Sequence, residues 1–119
     1  MAELNNYNLE ERTAKFGEDI IKFCRELKFN VITEPIIKQI IRSATSIGAN
    51  YMEANGACSK SDFKNKIFIC KKETMETKHW LRILSSALPE KADKLRGYWK
   101  EAQELTLIFS KIAASSNKK

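Results

Sequence analysis

This chain is poor in helix-breaking residues and nearly without histidine. Two prolines and four glycines occur in 119 residues, largely near segment edges. No stretch shows a strand pattern or low complexity. His79 is the single histidine. Catalysis that pairs serine or cysteine with histidine has no support, and a metal site needing two histidines cannot be completed in one chain. Cys24, Cys58 and Cys70 are odd in number and lack C-x-x-C spacing. That argues against a disulfide framework and a zinc ribbon. Gly48 stands alone inside a helical stretch, so there is no glycine-rich phosphate loop. No window approaches about 18 consecutive apolar residues, so no membrane span is expected. Met1 to Leu9 lacks the basic start and apolar run of a signal peptide. A reducing cytoplasm fits these features, and no cofactor and no catalytic residue is expected.

What is present is helical periodicity and uneven charge. The formal net charge is +6. Residues 1–56 carry 7 Lys/Arg against 8 Asp/Glu, and residues 57–119 carry 14 against 7. Such an imbalance marks either an anionic partner or a solvated basic surface. The length predicts one domain with a core of its own. Phe16, Ile20, Phe23, Cys24 and Leu27 line one face of a first helix, from about Glu10 to Lys28. Gly17 interrupts it at a cost of about 1 kcal/mol relative to alanine, which a close neighbour would explain. Thr33 is the expected N-cap of a second helix, with Pro35 in its first turn. Ile37, Ile40, Ala44, Ile47 and Tyr51 form its core stripe, and Asn55-Gly56 its stop, with Gly56 left-handed. Small residues around Gly48 read as close helix packing.

Ser59 or Ser61 caps a third helix that runs to about Leu84. A fourth runs from Pro89 or Glu90 to Ala114. Leu95, Tyr98, Ala102, Leu105, Phe109 and Ile112 form its seam. Short connections make neighbours antiparallel, so the fold class is all-α: a single-domain up-down-up-down four-helix bundle over residues 10–114. Residues 1–9 are an expected flexible N-terminus, and 115–119 an expected disordered tail.

At about 100° per residue, the third helix carries three stripes. Phe63, Ile67, Cys70, Thr74, Thr77, Leu81 and Leu84 face the core. Ile69, Glu73, Glu76, Trp80 and Ile83 lie to one side. Lys64, Phe68, Lys71, Met75, Lys78 and Arg82 lie to the other. Apolar residues thus surround much of this helix. Phe68 and Met75, together with Trp99, Leu107 and Ile108 off the fourth helix's seam, are the expected subunit contacts of a homo-oligomer.

The polar residues have bland and sharp readings. Glu76-x-x-His79 is half of a di-iron motif, but the other half is absent. The expected register sets Arg42 level with Glu73, Gln39 with Glu76, and Glu53 with Asp62. Arg42, Asn50, Glu53, Glu73 and Glu76 are therefore expected as structural polar groups. Arg42 and Glu73 would form a buried ion pair, and Asn50 and Glu53 would bond the free amides that open the third helix. Lys60, Lys64, Lys71, Lys78 and Arg82 form a basic stripe. It suits phosphate contacts of low sequence specificity, or else subunit contact and plain solvation.

Ser46, Gly48, Ala49, Asn50, Tyr51, Glu53 and Ala54, then Ser59, Asp62 and Phe63, then Lys72, Glu73, Glu76, Thr77, Trp80 and Leu81 form one long spaced pattern. It resembles that of the four-helix bundle family of bacterial 23S rRNA intervening-sequence proteins. Many relatives have glycine where Ala54 stands. The resemblance implies a left-handed bundle and a ring-like homopentamer. The family is similar to the accessory variability determinant proteins of diversity-generating retroelements. By analogy that implies RNA or DNA and a protein such as a reverse transcriptase as partners. The alternative is a protein-interaction scaffold that binds no nucleic acid.

Overall fold

The computed structural model describes residues 8–117. The expected flexible start, up to residue 7, and Lys118 and Lys119 of the expected tail lie outside the described residues. Four helices follow one another: α1 (Leu9–Arg25), α2 (Thr33–Asn55), α3 (Lys60–Ala87) and α4 (Ala92–Asn117), with a 3-10 turn over Pro89–Lys91 before α4. Each packs against the next, antiparallel, in a bundle measuring 48 × 26 × 20 Å. The long dimension follows from α3, whose 28 residues span about 42 Å at 1.5 Å per residue.

The helix ends differ from the sequence expectations for local reasons. α1 closes at Arg25 rather than Lys28. The amides of Glu26 and Leu27 donate to Phe23 and Cys24 carbonyls, which tightens the last turn. Thr33 is the first residue of α2 and not its cap. Asn30 does the capping instead: its Oδ1 accepts from the amides of Ile32 and Thr33, both at 2.9 Å. A short amide side chain reaches backbone two and three residues ahead. Thr33 Oγ1 donates in turn to the Lys28 carbonyl at 2.9 Å.

Gly56 is not left-handed. Its φ is −99° and ψ 15°. The amides of Gly56 and Ala57 return to the Glu53 and Ala54 carbonyls, so the chain leaves α2 without a left-handed residue. Ser59, not Ser61, caps α3, its Oγ accepting from the Asp62 amide at 3.0 Å. α4 starts at Ala92, after the 3-10 turn, and continues past Ala114 to Asn117. Ser116 Oγ donates to the Ile112 carbonyl at 3.0 Å within this last turn.

The core is built from the expected stripes and from Leu9, which was expected in the flexible start and instead opens α1 with its side chain fully buried. Leu9, Ile20, Ile37, Ile47, Ile67, Leu84, Leu105 and Phe109 are fully buried. Complete burial of such a side chain is worth about 1.5–3 kcal/mol. Phe23 meets Tyr98 at 5.2 Å between ring centroids, and Tyr51 meets Phe109 at 5.7 Å. Cys24 and Cys70 are buried and Cys58 is exposed. Burial pushes the Cys24 thiol up to about 11 and the Cys70 thiol up to about 12.

α1 and α2 approach closely at their small residues. A Cβ on Gly17 would sit 3.5 Å from Thr45 Cα, and one on Gly48 would sit 3.3 Å from Thr13 Oγ1. The close neighbour that Gly17 calls for is thus Thr45. Gly97, inside α4, has open space around it.

Two outcomes follow from this packing. Gly97→Ala raises stability by about 0.5–1 kcal/mol from helix propensity alone, whereas Gly48→Ala does not, because the new methyl group presses on Thr13; urea denaturation measures both. At pH 8 the folded chain shows one fast-reacting thiol toward a chromogenic disulfide, Cys58, and three once unfolded.

Candidate nucleic-acid interface

α3 lies between α2 and α4, and its two flanks differ in charge. With the Phe63-to-Leu84 seam turned inward, Glu73 and Glu76 face α2. Arg42 reaches across from α2: its guanidinium donates to Glu73 at 3.3 Å and to Glu76. Trp80 Nε1 donates to the same Glu76 oxygen at 3.1 Å. The Arg42 guanidinium, with that indole, holds the Glu76 carboxyl below the usual glutamate range. The acids of α4 are treated likewise from the other side. Arg12 on α1 forms a two-point pair with Glu101, at 2.7 and 2.9 Å, and reaches Glu104 at 2.6 Å.

The opposite flank of α3, toward α4, carries Lys64, Lys71 and Lys78, all half-buried, with exposed Arg82 beyond and exposed Lys60 at the start. Among the described residues none of the five pairs with a carboxylate. Lys78 donates to Gln103 and stands 5.3 Å from the Trp99 ring centroid. Trp99 also walls a groove of about 450 Å³ between α3 and α4, whose lining includes Arg82, Arg96 and Lys100. Arg96 is 3.2 Å from Asp93 on its own helix. The seam is therefore a run of cations beside an aromatic ring, from which Glu73 and Glu76 of α3 and Glu101 and Glu104 of α4 are turned away.

The other expected residues fall into place or need correction. Arg42 does meet Glu73 and Glu76, but it is exposed, so this is no buried ion pair. Glu53 is exposed and sits level with Lys66, at 2.8 Å, not with Asp62. The two helices mesh about one turn further along than the loop length suggested. Gln39 bonds Arg42 at 3.3 Å rather than Glu76. Asn50 donates to the Ser46 carbonyl of its own helix at 2.8 Å, and neither it nor Glu53 bonds the α3 amides. Ser59 already serves one of those amides. Ile108 is half-buried against the core, not a free surface residue.

Phe68, Met75 and Leu107 are 43%, 51% and 58% exposed, and Trp99 36%. Ile69, Trp80 and Ile83, on the stripe to the other side, are half-buried. A helix flanked on both sides keeps only one uncovered line. His79 lies on that line, with its ring 5.0 Å from Trp80, while Glu76 is committed to Arg42.

Three features went unread in the sequence. The first is a buried hydroxyl ladder. Thr77 Oγ1 donates to Ser43 Oγ at 2.8 Å, and Thr106 Oγ1 to Thr74 Oγ1 at 2.9 Å, which ties α2, α3 and α4 together. Thr74 and Thr77 inside an apolar seam were its signal. The second is Arg12, for which no local spacing announces a partner 89 residues away. The third is the α1–α2 connection, where Phe29, Val31 and Ile32 stand exposed on the turn that Asn30 holds.

An antiparallel all-α bundle with one cationic seam and no membrane-crossing helix among the described residues defines a small helical-bundle class. A protein-family model for the 23S rRNA-intervening sequence protein matches residues 5–111, and the chain belongs to that family. A solved structure agrees in fold. It is a protein of unknown function from the S23 ribosomal protein family of Bacteroides thetaiotaomicron VPI-5482, 31% identical, with a TM-score of 0.78, covering 87% of this chain and 96% of that one. Comparison with curated proteins gives no match.

The hydroxyl ladder makes its own prediction. Thr77→Val costs about 1 kcal/mol because Ser43 loses its cross-helix bond and keeps only the longer one, 3.4 Å, to the Ile40 carbonyl. Combined with Ser43→Ala, the loss is smaller than the two single losses added together, as a double-mutant cycle in urea measures.

Proposed function

We propose that this chain is a non-enzymatic, self-assembling bundle that holds a nucleic acid along the α3–α4 seam. The observation that carries this reading is the sorting of charge on α3 and α4. Their inter-helix acid pairs point to α2 and α1, which leaves Lys60, Lys64, Lys71, Lys78 and Arg82 on the flank between them. Lysines neutralise phosphates without reading bases. Trp99, beside Arg82, Arg96 and Lys100, offers a ring for base stacking, which favours single strands over duplex. Self-assembly is supported by Phe68 and Met75, which face solvent two helical turns apart.

A filter-binding titration with a uridine oligonucleotide across salt tests the nucleic-acid reading. Five phosphate contacts predict a slope of log K against log salt near about −3.5 for a single strand. Lys71→Ala and Lys78→Ala each reduce that slope by about 0.7. No binding at about 50 mM salt, or no salt dependence, rejects the reading. That result would favour a protein-interaction scaffold instead, for which the exposed Phe29, Val31 and Ile32 are the supporting observation.

A further inference from the structure

The side of the bundle away from α3 carries a second surface. Between α1 and α2 runs a groove of about 380 Å³, floored by the small residues Ala14, Gly17, Gly48 and Ala49 and flanked by Ile21 and Met52. It exists because the two backbones meet at glycine, which leaves no side chain to fill the outer cleft. Ile21 and Met52 are 40% and 61% exposed. The only charged residues of its lining are the acids Glu10, Glu11 and Glu18. Glu10 accepts from Asn55 at 2.9 Å, while Glu11 and Glu18 make no ion pair among the described residues.

The uncovered line of α3 is its complement. Phe68, Lys72, Met75, His79 and Arg82 lie along it, all exposed. Its apolar members and its cations answer the groove's apolar floor and acidic rim. The dimensions agree as well. Phe68 and Met75 are seven residues apart, about 10 Å along the axis. The groove is at least that long: its lining runs from Thr45 to Met52 on α2, about 10 Å, and from Glu10 to Ile21 on α1, about 16 Å. Two side chains two turns apart thus fit within it.

We infer that the occupant of the α1–α2 groove is a second copy of this chain, inserting Phe68 and Met75 of its α3. The inference rests on the self-assembly reading above and adds its geometry. Ridge and groove are different surfaces of one molecule, so the contact is head-to-tail. Each copy that docks still offers a free groove or a free ridge, and such contacts close into a ring or run on as a filament. Lys64, Lys71 and Lys78 occupy the neighbouring flank of α3, toward α4, and are left open by this docking; Arg82 stands where the ridge and that flank meet.

Complementary mixing tests this. Ala49→Trp fills the groove from an exposed position, and Phe68→Glu/Met75→Glu removes the ridge. The masses of the native chain, of each variant and of their mixture are read by light scattering, with circular dichroism to confirm the fold. The expected result is a native assembly, two monomeric variants, and a mixture that forms a one-to-one dimer and grows no further. In that dimer the ridge of the first variant enters the groove of the second. The charge-reversed groove variant Glu11→Lys/Glu18→Lys changes exposed residues only, and it substitutes for Ala49→Trp if the latter is misfolded. A native assembly that survives both groove variants overturns the docking geometry and leaves self-assembly standing. A mixture that stays monomeric overturns it too. A monomeric native chain overturns both.

Discussion

The orientation of α3 about its own axis governs most of what this protein presents to its surroundings. Ile67, Cys70, Thr74, Thr77, Leu81 and Leu84 are all buried. Turning that row inward is worth many times the energy of any surface ion pair, which contributes about 1 kcal/mol or less. Once the row faces the core, the helical step leaves no choice elsewhere. Glu73 and Glu76 must look toward α2, and Lys64, Lys71 and Lys78 toward α4. The sorting of charge is a consequence of hydrophobic packing, and Arg42 and Arg12 only fix acids that packing has already placed.

The interior restricts that orientation further. A purely aliphatic seam tolerates some rotation and sliding of one helix on another. The Ser43–Thr77 and Thr74–Thr106 bonds oppose it, since a slip of one residue would break both and leave each hydroxyl only a carbonyl of its own helix. Among the described residues no buried side-chain nitrogen or oxygen lacks a partner. The hydroxyls thus act on register, which in turn holds the flanks of α3 at fixed angles to α2 and α4.

The helices and their buried faces were legible in the sequence because they rest on one-dimensional periodicity. Phe16 to Cys24 in α1 and Leu95 to Phe109 in α4 need no knowledge of neighbours. The pairing of Arg42 with Glu73 was legible too, from the antiparallel arrangement alone, whereas its bond to Glu76 was not. Glu53 meets Lys66, one turn beyond Asp62, because the length of a connection does not fix how far two helices slide along each other. What could not be read was coverage. Ile69, Trp80 and Ile83 look uncovered on a wheel and are sheltered by α2, while Phe68 and Met75 are not. The basic stripe was visible as spacing, but the absence of acids across from it depends on Arg12 and Glu101, far apart in sequence. The α1–α2 groove follows from two glycines that only the packed backbones bring together.

The central claim is that a polyanion sees the flank between α3 and α4 and no other side of the bundle. Lysine acetylation footprinting, with and without a saturating uridine oligonucleotide, addresses it residue by residue. The account predicts that Lys64, Lys71, Lys78 and Lys100 are protected, while Lys15, Lys22 and Lys38 on α1 and α2 react as before. Protection of Lys15 and Lys38 with the α3 lysines unchanged would contradict it.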